Sequence, residues 1–315
     1  DTKDKTKVAL DVDTKPIRDY LAEMQKKIYI APGTTTVITL DGVETGRTEG
    51  VAGRGINFTT TADALKKQVL KEDGVVLGDL VSVPARVIFQ RSYSPTQNGL
   101  QALLNDLVKD KGNYGIAVRF TDGSVVSASG SKRYHPASTY KMFVAFSLLK
   151  RIAANQMKWE DEATAGKNVS QCFDVMIVNS DNTCAEWLGD KIGWQNVTND
   201  VRGLGLASTN VIRGAMYSTA EDQTLFLHKI NTGALADAEK NRLLDVMKRQ
   251  AYRSGIPAGT GLPVADKVGF LNGDLHDSGL VFGSKTYALS IMTSGSSWSQ
   301  IADAARQINA QINRM

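Results

Sequence analysis

The stretch His135-Pro136-Ala137-Ser138-Thr139-Tyr140-Lys141-Met142-Phe143-Val144-Ala145-Phe146-Ser147-Leu148-Leu149-Lys150-Arg151-Ile152 decides how this chain is read. From Ser138 to about residue 154, apolar side chains (Met142, Phe143, Val144, Phe146, Leu148, Leu149, Ile152) fall on almost every side of a 3.6-residue period. Such a helix must be buried all round, which predicts the centre of a large domain. Its start differs. Ser138 stands where the unpaired N–H groups of a first turn point at a common spot, a place where a hydroxyl can face a cleft.

Outward from this helix the pattern alternates between the two periods. Upstream, Leu100 to Lys109 reads as a helix, and Gly115 to Phe120 and Ser124 to Ser129 read as strands around the turn signal Asp122-Gly123. Downstream, helical spacing runs from about Val169 to Asp190 and from Glu221 to Gln250. Strands follow at Leu280 to Phe282 and Tyr287 to Thr293, and a last helix carries Ile301, Ala304, Ala305, Ile308 and Ile312. Strands from both ends with helices between them predict an α+β fold, in which one antiparallel sheet is flanked by helices and a helical lobe is inserted mid-chain.

Residues 1–92 read as a separate small α+β unit, residues 93–99 as a polar, turn-rich linker, and residues 100–315 as the main domain. Within the small unit a helix starts at Asp13-Thr14-Lys15-Pro16 and runs to about Lys27. Thr35 to Leu40 turns at Asp41-Gly42 into Val43 to Thr45. A second helix, Ala62 to Leu70, is expected behind the cap cluster Thr59-Thr60-Thr61, and a strand from Val81 to Phe89 is interrupted by Pro84.

Composition narrows the function classes. Hydrophobic residues at 42% and charged residues at 22% describe an ordinary globular chain. No apolar run approaches the roughly 18 residues of a membrane span. The net charge of +4 is scattered among acids, so nothing supports nucleic-acid binding. Cys172, Cys184 and the histidines His135, His228 and His276 lack the spacing of a zinc site, and no metal or cofactor is expected. The cysteines read as two buried thiols, or as a disulfide if the chain is exported. The charged start Asp1-Thr2-Lys3-Asp4-Lys5-Thr6-Lys7 fits a mature chain whose export signal has been removed.

Ser-x-x-Lys occurs three times, as Ser129 with Lys132, Ser138 with Lys141 and Ser147 with Lys150. Roughly one match arises by chance in a chain of this size, so context decides. Ser129 ends a hairpin strand and Ser147 lies inside the buried helix. Ser138 alone opens the helix, and Lys141 sits one turn on, within reach of its oxygen. A serine hydroxyl needs a base, and burial beside other cations brings a lysine into the range where it can be one. Two further pieces follow in order: Ser180-Asp181-Asn182 between helical stretches, and Lys267-Val268-Gly269 leading into a strand.

Ser-x-x-Lys, Ser-Asp-Asn and Lys-Thr-Gly in this order resemble the class A β-lactamases and penicillin-binding proteins over about residues 97–315. The resemblance implies a serine acyl-transfer hydrolase acting on β-lactams or on peptidoglycan stem-peptide D-alanyl amides. Ser138 would be acylated, with Lys141 as its base, directly or through water. Ser180 would relay the proton to the leaving nitrogen, and Asn182 would hold Lys141 and the substrate amide. Lys267 would supply charge for a substrate carboxylate, Gly269 close backbone approach, and the N–H groups of Ser138 and Phe270 the oxyanion hole. It also implies an extracytoplasmic setting, in which Cys172 and Cys184 would bridge around the motif loop. Residues 1–92 loosely resemble small domains of cell-wall enzymes, so a contact with the wall or a spacer role is expected there. A non-catalytic cell-wall-binding protein that kept the fold is the alternative.

Two departures stand out. Val268 replaces the threonine or serine of the family, removing a hydroxyl worth roughly 1–2 kcal/mol of carboxylate recognition. His276 and Asp277, in the following hairpin, read either as a replacement or as a polar turn. The loop Leu204 to Tyr217 contains no carboxylate, whereas class A β-lactamases carry a deacylating glutamate after Ser-Asp-Asn. Glu221 comes next, in Ser218-Thr219-Ala220-Glu221, which reads as a helix cap. Slow release of the acyl group is the expectation.

Overall fold

The computed structural model describes residues 12–69 and 75–315, and the chain divides into two compact units between Ser92 and Tyr93. The charged start Asp1–Lys7 and the expected helix end at Leu70 lie outside the described residues. No helix among the described residues is long and apolar enough to cross a membrane.

In the first unit, helix α1 (Lys15–Ile28) begins with Pro16 in its first turn, where a missing N–H costs nothing. Strands β1 (Thr34–Leu40) and β2 (Val43–Thr48) pair antiparallel through Asp41 and Gly42, both left-handed at φ 52° and 80°, which matches the twist a two-residue hairpin turn requires. β3 (Gly53–Ile56) precedes helix α2 (Phe58–Val69). That helix starts earlier than the threonine cluster predicts. Asn57 caps it, its Oδ1 accepting from the Thr60 N–H at 3.3 Å, while the hydroxyls of Thr60 and Thr61 are taken by Asp79.

The expected single strand around Pro84 is two. β4 (Leu80–Val83) pairs antiparallel with β3, and β5 (Arg86–Ser92) pairs parallel with β1. Proline has no N–H for a ladder, so the chain leaves one sheet and joins the other across it. Leu21, Val37 and Ile56 are the buried hydrophobic residues among those described in this unit.

In the second unit, helix α3 (Gln97–Lys111) takes up the last three residues of the expected linker, because the Thr96 side chain caps it by accepting from the Gly99 N–H. β6 (Tyr114–Phe120) and β7 (Val125–Ala128) form a hairpin. A 3-10 turn, Ala137–Tyr140, then leads into α4 (Lys141–Ala153), whose residues Lys141 to Leu149 are all buried. Around α4 stand α5 (Val169–Val178), α6 (Asn182–Ile192), α7 (Trp194–Arg202), α8 (Ala220–Asn231) and α9 (Asp237–Lys248). The short α10 (Ile256–Thr260) brings the chain to β8 (Val264–Leu271), β9 (Asp274–Phe282), β10 (Thr286–Ser294) and α11 (Trp298–Arg314).

The five strands order as β7-β6-β10-β9-β8, all antiparallel. This is the α+β arrangement expected from the order of elements, and the β-lactamase/transpeptidase-like fold that the motif resemblance implies. Side chains alternate across the sheet, so each face has its own core. Ala265, Leu280 and Ala288 face the helical lobe, where Phe143 and Phe146 meet Phe226 edge to face at 5.0 and 5.8 Å. Ile116, Val118, Val264, Val281, Leu289 and Ile291 face α3 and α11. β8 is an edge strand, and it runs past the 3-10 turn that precedes α4.

Candidate active site

Ser138 sits half-buried in that 3-10 turn. Ala137 before it has φ 45°, a left-handed conformation that costs a non-glycine residue about 1 kcal/mol or more and persists only where neighbours enforce it. They do so here. The Ala137 N–H donates to His135 Nδ1, the Thr139 N–H and hydroxyl both donate to Pro136 O, and the buried Gln223 amide donates to the Thr139 hydroxyl. Ser180 is left-handed too, at φ 60°, in the turn between α5 and α6. Asp181 caps α6 by accepting from the Cys184 N–H at 2.8 Å.

These two turns meet around Lys141, whose side chain is fully buried. Its Nζ lies 2.5 Å from Ser180 O, 2.6 Å from Asn182 Oδ1, 3.1 Å from Ser138 Oγ and 3.1 Å from Ser180 Oγ. An ammonium has only three hydrogens for four oxygens. The carbonyl and amide oxygens can only accept, so in the neutral amine the two hydrogens go to them and the lone pair is left for one of the two hydroxyls. Burial lowers the Lys141 pKa to about 8, against the fields of Asp181 and Glu186, which favour the charged form.

Lys267 approaches from β8. It stands inside the strand rather than before it, fully buried, with Nζ 3.0 Å from Ser180 Oγ and 3.0 Å from Val268 O. Burial first, and then the charge of Lys141, lower its pKa to about 7. Gly269 follows. A Cβ on it would lie 2.8 Å from Pro136 O and 2.9 Å from Ser138 N, closer than real side chains come, so β8 can pass the Ser138 turn only as bare backbone. Phe270 comes next along this strand, opposite Leu275 on β9.

Val268 is fully buried and opposes Asp277 on β9. His276 and Asp277 are not in a hairpin turn but in mid-strand, both fully buried. The ring of His276 is committed at both nitrogens: Nε2 lies 2.8 Å from His135 O and Nδ1 accepts from the Thr293 N–H. It is therefore a neutral brace under the Ser138 turn and offers nothing to a substrate carboxylate, contrary to the first of its two sequence readings.

Asp277 belongs to a cluster that the sequence did not reveal. Asp266 Oδ1 accepts from Arg253, and Asp277 Oδ2 accepts from the Ile256 N–H. Their remaining oxygens, Asp266 Oδ2 and Asp277 Oδ1, have no other donor. Burial raises both groups above the ordinary carboxylate range, and the charge of Asp277 raises Asp266 further, so one proton shared by the pair is the expected state near neutrality. Two aspartates one strand apart, one of them preceding Lys267, were the available signal.

Cys172 in α5 and Cys184 in α6 are bonded, with Cα atoms 5.0 Å apart, and the bridge spans the Ser180 turn. The loop 203–219 is fastened by polar contacts to its surroundings. Asp222 accepts from the Ser208 N–H and the Thr209 hydroxyl, and Arg213 pairs with Glu186 on α6. Glu221 is committed elsewhere: its Oε1 accepts from the Ser127 hydroxyl at 2.6 Å and its N–H donates to Gly130 O, while Thr219 caps α8.

The family model described as the beta-lactamase enzyme family matches residues 97–315. The chain belongs to that family. It is a serine hydrolase of the β-lactamase-like and penicillin-binding kind. Solved structures agree in fold. PBP-A superposes with a TM-score of 0.63 at 21% identity, covering 69% of this chain and 96% of its own. A β-lactamase from Sphaerobacter thermophilus gives 0.61 at 18% identity, covering 69% and 96%. An acyl-enzyme complex of a PBP-A mutant with penicillin G gives 0.63 at 21% identity, covering 69% and 97%. No curated protein matches the sequence.

Proposed function

We propose that this hydrolase is acylated at Ser138 by β-lactams or peptidoglycan D-alanyl amides, and that it releases the acyl group slowly. The observation that carries the reading is the position of Lys141 Nζ, 3.1 Å from both serine hydroxyls with its other contacts confined to acceptors. Ser138 Oγ attacks the amide carbonyl while its proton passes to the neutral Lys141 amine. The negative charge that develops on the carbonyl oxygen is met by the N–H groups of Ser138 and Phe270. When the carbon–nitrogen bond breaks, the proton reaches the leaving nitrogen through the Ser180 hydroxyl. Lys267 contributes its hydrogen bond to Ser180 and, once a substrate carboxylate beside it favours its charged form, positive charge.

Release needs a second base, to activate water against the ester. The loop 203–219 offers no carboxylate and Glu221 is held at β7. The acyl-enzyme therefore outlives its formation, which is the behaviour of a penicillin-binding protein rather than of an efficient β-lactamase. The disulfide favours work in an oxidising, extracytoplasmic setting, with residues 1–92 as a spacer or wall contact. The intact Ser138, Lys141, Ser180, Asn182 and Lys267 weigh against a binding protein that has lost its chemistry. Incubation with benzylpenicillin should add one acyl group, located at Ser138 by peptide mass mapping. An adduct that forms equally in Ser138→Ala would place the nucleophile elsewhere.

A further inference from the structure

The face of α6 that carries Asn182 toward Lys141 continues, one turn apart each time, through Glu186 to Asp190. Glu186 Oε2 is paired with Arg213 Nη2, and Arg213 Nη1 lies 4.0 Å from Asp190. Arg213 is carried by the loop 203–219, the same segment that lacks the glutamate found in class A β-lactamases. Tyr140, next to Lys141 in the chain, is half-buried, with its ring 6.0 Å from Lys141 Nζ and edge-on to Trp194. Burial raises the pKa of Tyr140, with the Glu186 charge adding and the Arg213 charge opposing, and Glu186 also favours the charged form of Lys141 against its burial.

We propose that Glu186 and Arg213 are positioning residues for acylation: Arg213 pairs with the Glu186 carboxylate, one turn beyond Asn182 on α6, and so limits the hold of that carboxylate on the proton of Lys141. The inference rests on Lys141 being the base for Ser138. The charged and titratable groups around Lys141 are few. Asp181 and Glu186 come from the Ser180 turn and α6, Lys267 comes from β8 with Asp266 and Asp277 behind it, and Tyr140 precedes Lys141 in the chain. Asp181 is fixed by its capping bond, and Lys267 and the shared-proton pair are buried. Glu186, with half its side chain exposed, is the one member of this set whose position is set by a surface ion pair.

The physical consequence has a definite sign. With Arg213 neutralised, Glu186 acts on Lys141 unopposed, the proton is held to higher pH, and less free amine is present at neutrality. With Glu186 neutralised, the reverse holds. A unit charge acting across a partly exposed site moves a pKa by about 0.3–0.5 units, so rates on the acid side of the profile change about 2–3-fold.

The test follows the rate of Ser138 acylation by benzylpenicillin across pH, read by rapid quench and mass spectrometry. Arg213→Gln should move the acid limb upward by that amount, and Glu186→Gln should move it downward. Arg213→Lys, which keeps the charge, should return it to the wild-type position. In a Glu186→Gln background, Arg213→Gln should shift the limb by less than it does alone. An unmoved limb in Arg213→Gln, or an upward shift in Glu186→Gln, overturns the proposal while leaving acylation itself intact. Failure of the wild-type protein to form any Ser138 adduct overturns both this inference and the function on which it rests.

Discussion

Lys141 and Lys267 hold the same oxygen, their Nζ atoms lying 3.1 and 3.0 Å from the hydroxyl of Ser180. Burial lowers both amines, Lys141 to about 8 and Lys267, which the charge of Lys141 lowers further, to about 7. Near neutrality the site readily gives up one of its two protons. The same oxygen then has a donor on one side and a proton acceptor on the other, the arrangement a relay needs.

The first prediction is the pH dependence of acylation. The working form of Lys141 is the neutral amine, so the rate should fall as pH drops below about 8 and level off above it. Lys141→Arg, which stays protonated, should lose about 10²–10⁴-fold in acylation rate while retaining the fold. Stopped-flow measurement with benzylpenicillin decides this, and a flat profile across that range would remove Lys141 as the base.

Turnover supplies the second. A chromogenic cephalosporin such as nitrocefin should give a burst of about one equivalent followed by a slow steady state, with the two rates separated by about 10²–10⁴-fold. Glu221→Gln should leave the slow phase unchanged, since its carboxylate is bonded to Ser127. Rapid burst-free turnover abolished by Glu221→Gln would mean that this side chain reaches the acyl group after all.

Much of this site could be read before any coordinates, and the reason is local. Ser138 with Lys141, and Ser180 with Asn182, are each set within one turn of chain, so their spacing already implies their geometry. What no spacing reveals is which strand crosses which turn. Lys267 reaches Ser180 from 87 residues away, and Asp266 meets Asp277 only because β8 and β9 pair in one register. His276 was misplaced for the same reason, because β9 extends farther toward its hairpin than the apolar run Leu280 to Phe282 suggested. The α2 start was missed because the hydroxyls of Thr60 and Thr61 bond to Asp79, which is distant in sequence.

The third prediction concerns Cys172 and Cys184, which enclose a short segment of separation 12. A loop of this size contributes about 3 kcal/mol by restricting the unfolded chain. The double variant Cys172→Ser with Cys184→Ser should lose about 2–3 kcal/mol in urea denaturation and should acylate more slowly, because the turn that places Ser180 is no longer braced. Wild-type protein alkylated without reductant should show no free thiol. Two reactive thiols there would contradict the bridge.

The fourth turns on Asp266 and Asp277. Their pKa values are raised on folding by burial, so the folded chain binds a proton that the unfolded chain releases. The stability this proton contributes is full at acid pH, below the ordinary carboxylate range, and is lost as pH rises through the raised folded values. Asp277→Asn can donate to Asp266 through its amide while its carbonyl still accepts from Ile256. It should therefore flatten that loss in denaturation measured at a series of pH values. A wild-type profile already flat over this range would exclude the shared proton.

Gly269 has a consequence for how this protein can change. Any single-nucleotide missense change in a glycine codon yields a residue that carries a Cβ, and here every Cβ falls within 3 Å of the backbone around Ser138. Mutational paths toward new substrates therefore pass through neighbouring positions and not through this one. Under drift, residue 269 is among the first places where a descendant gene would record that the chemistry had been abandoned.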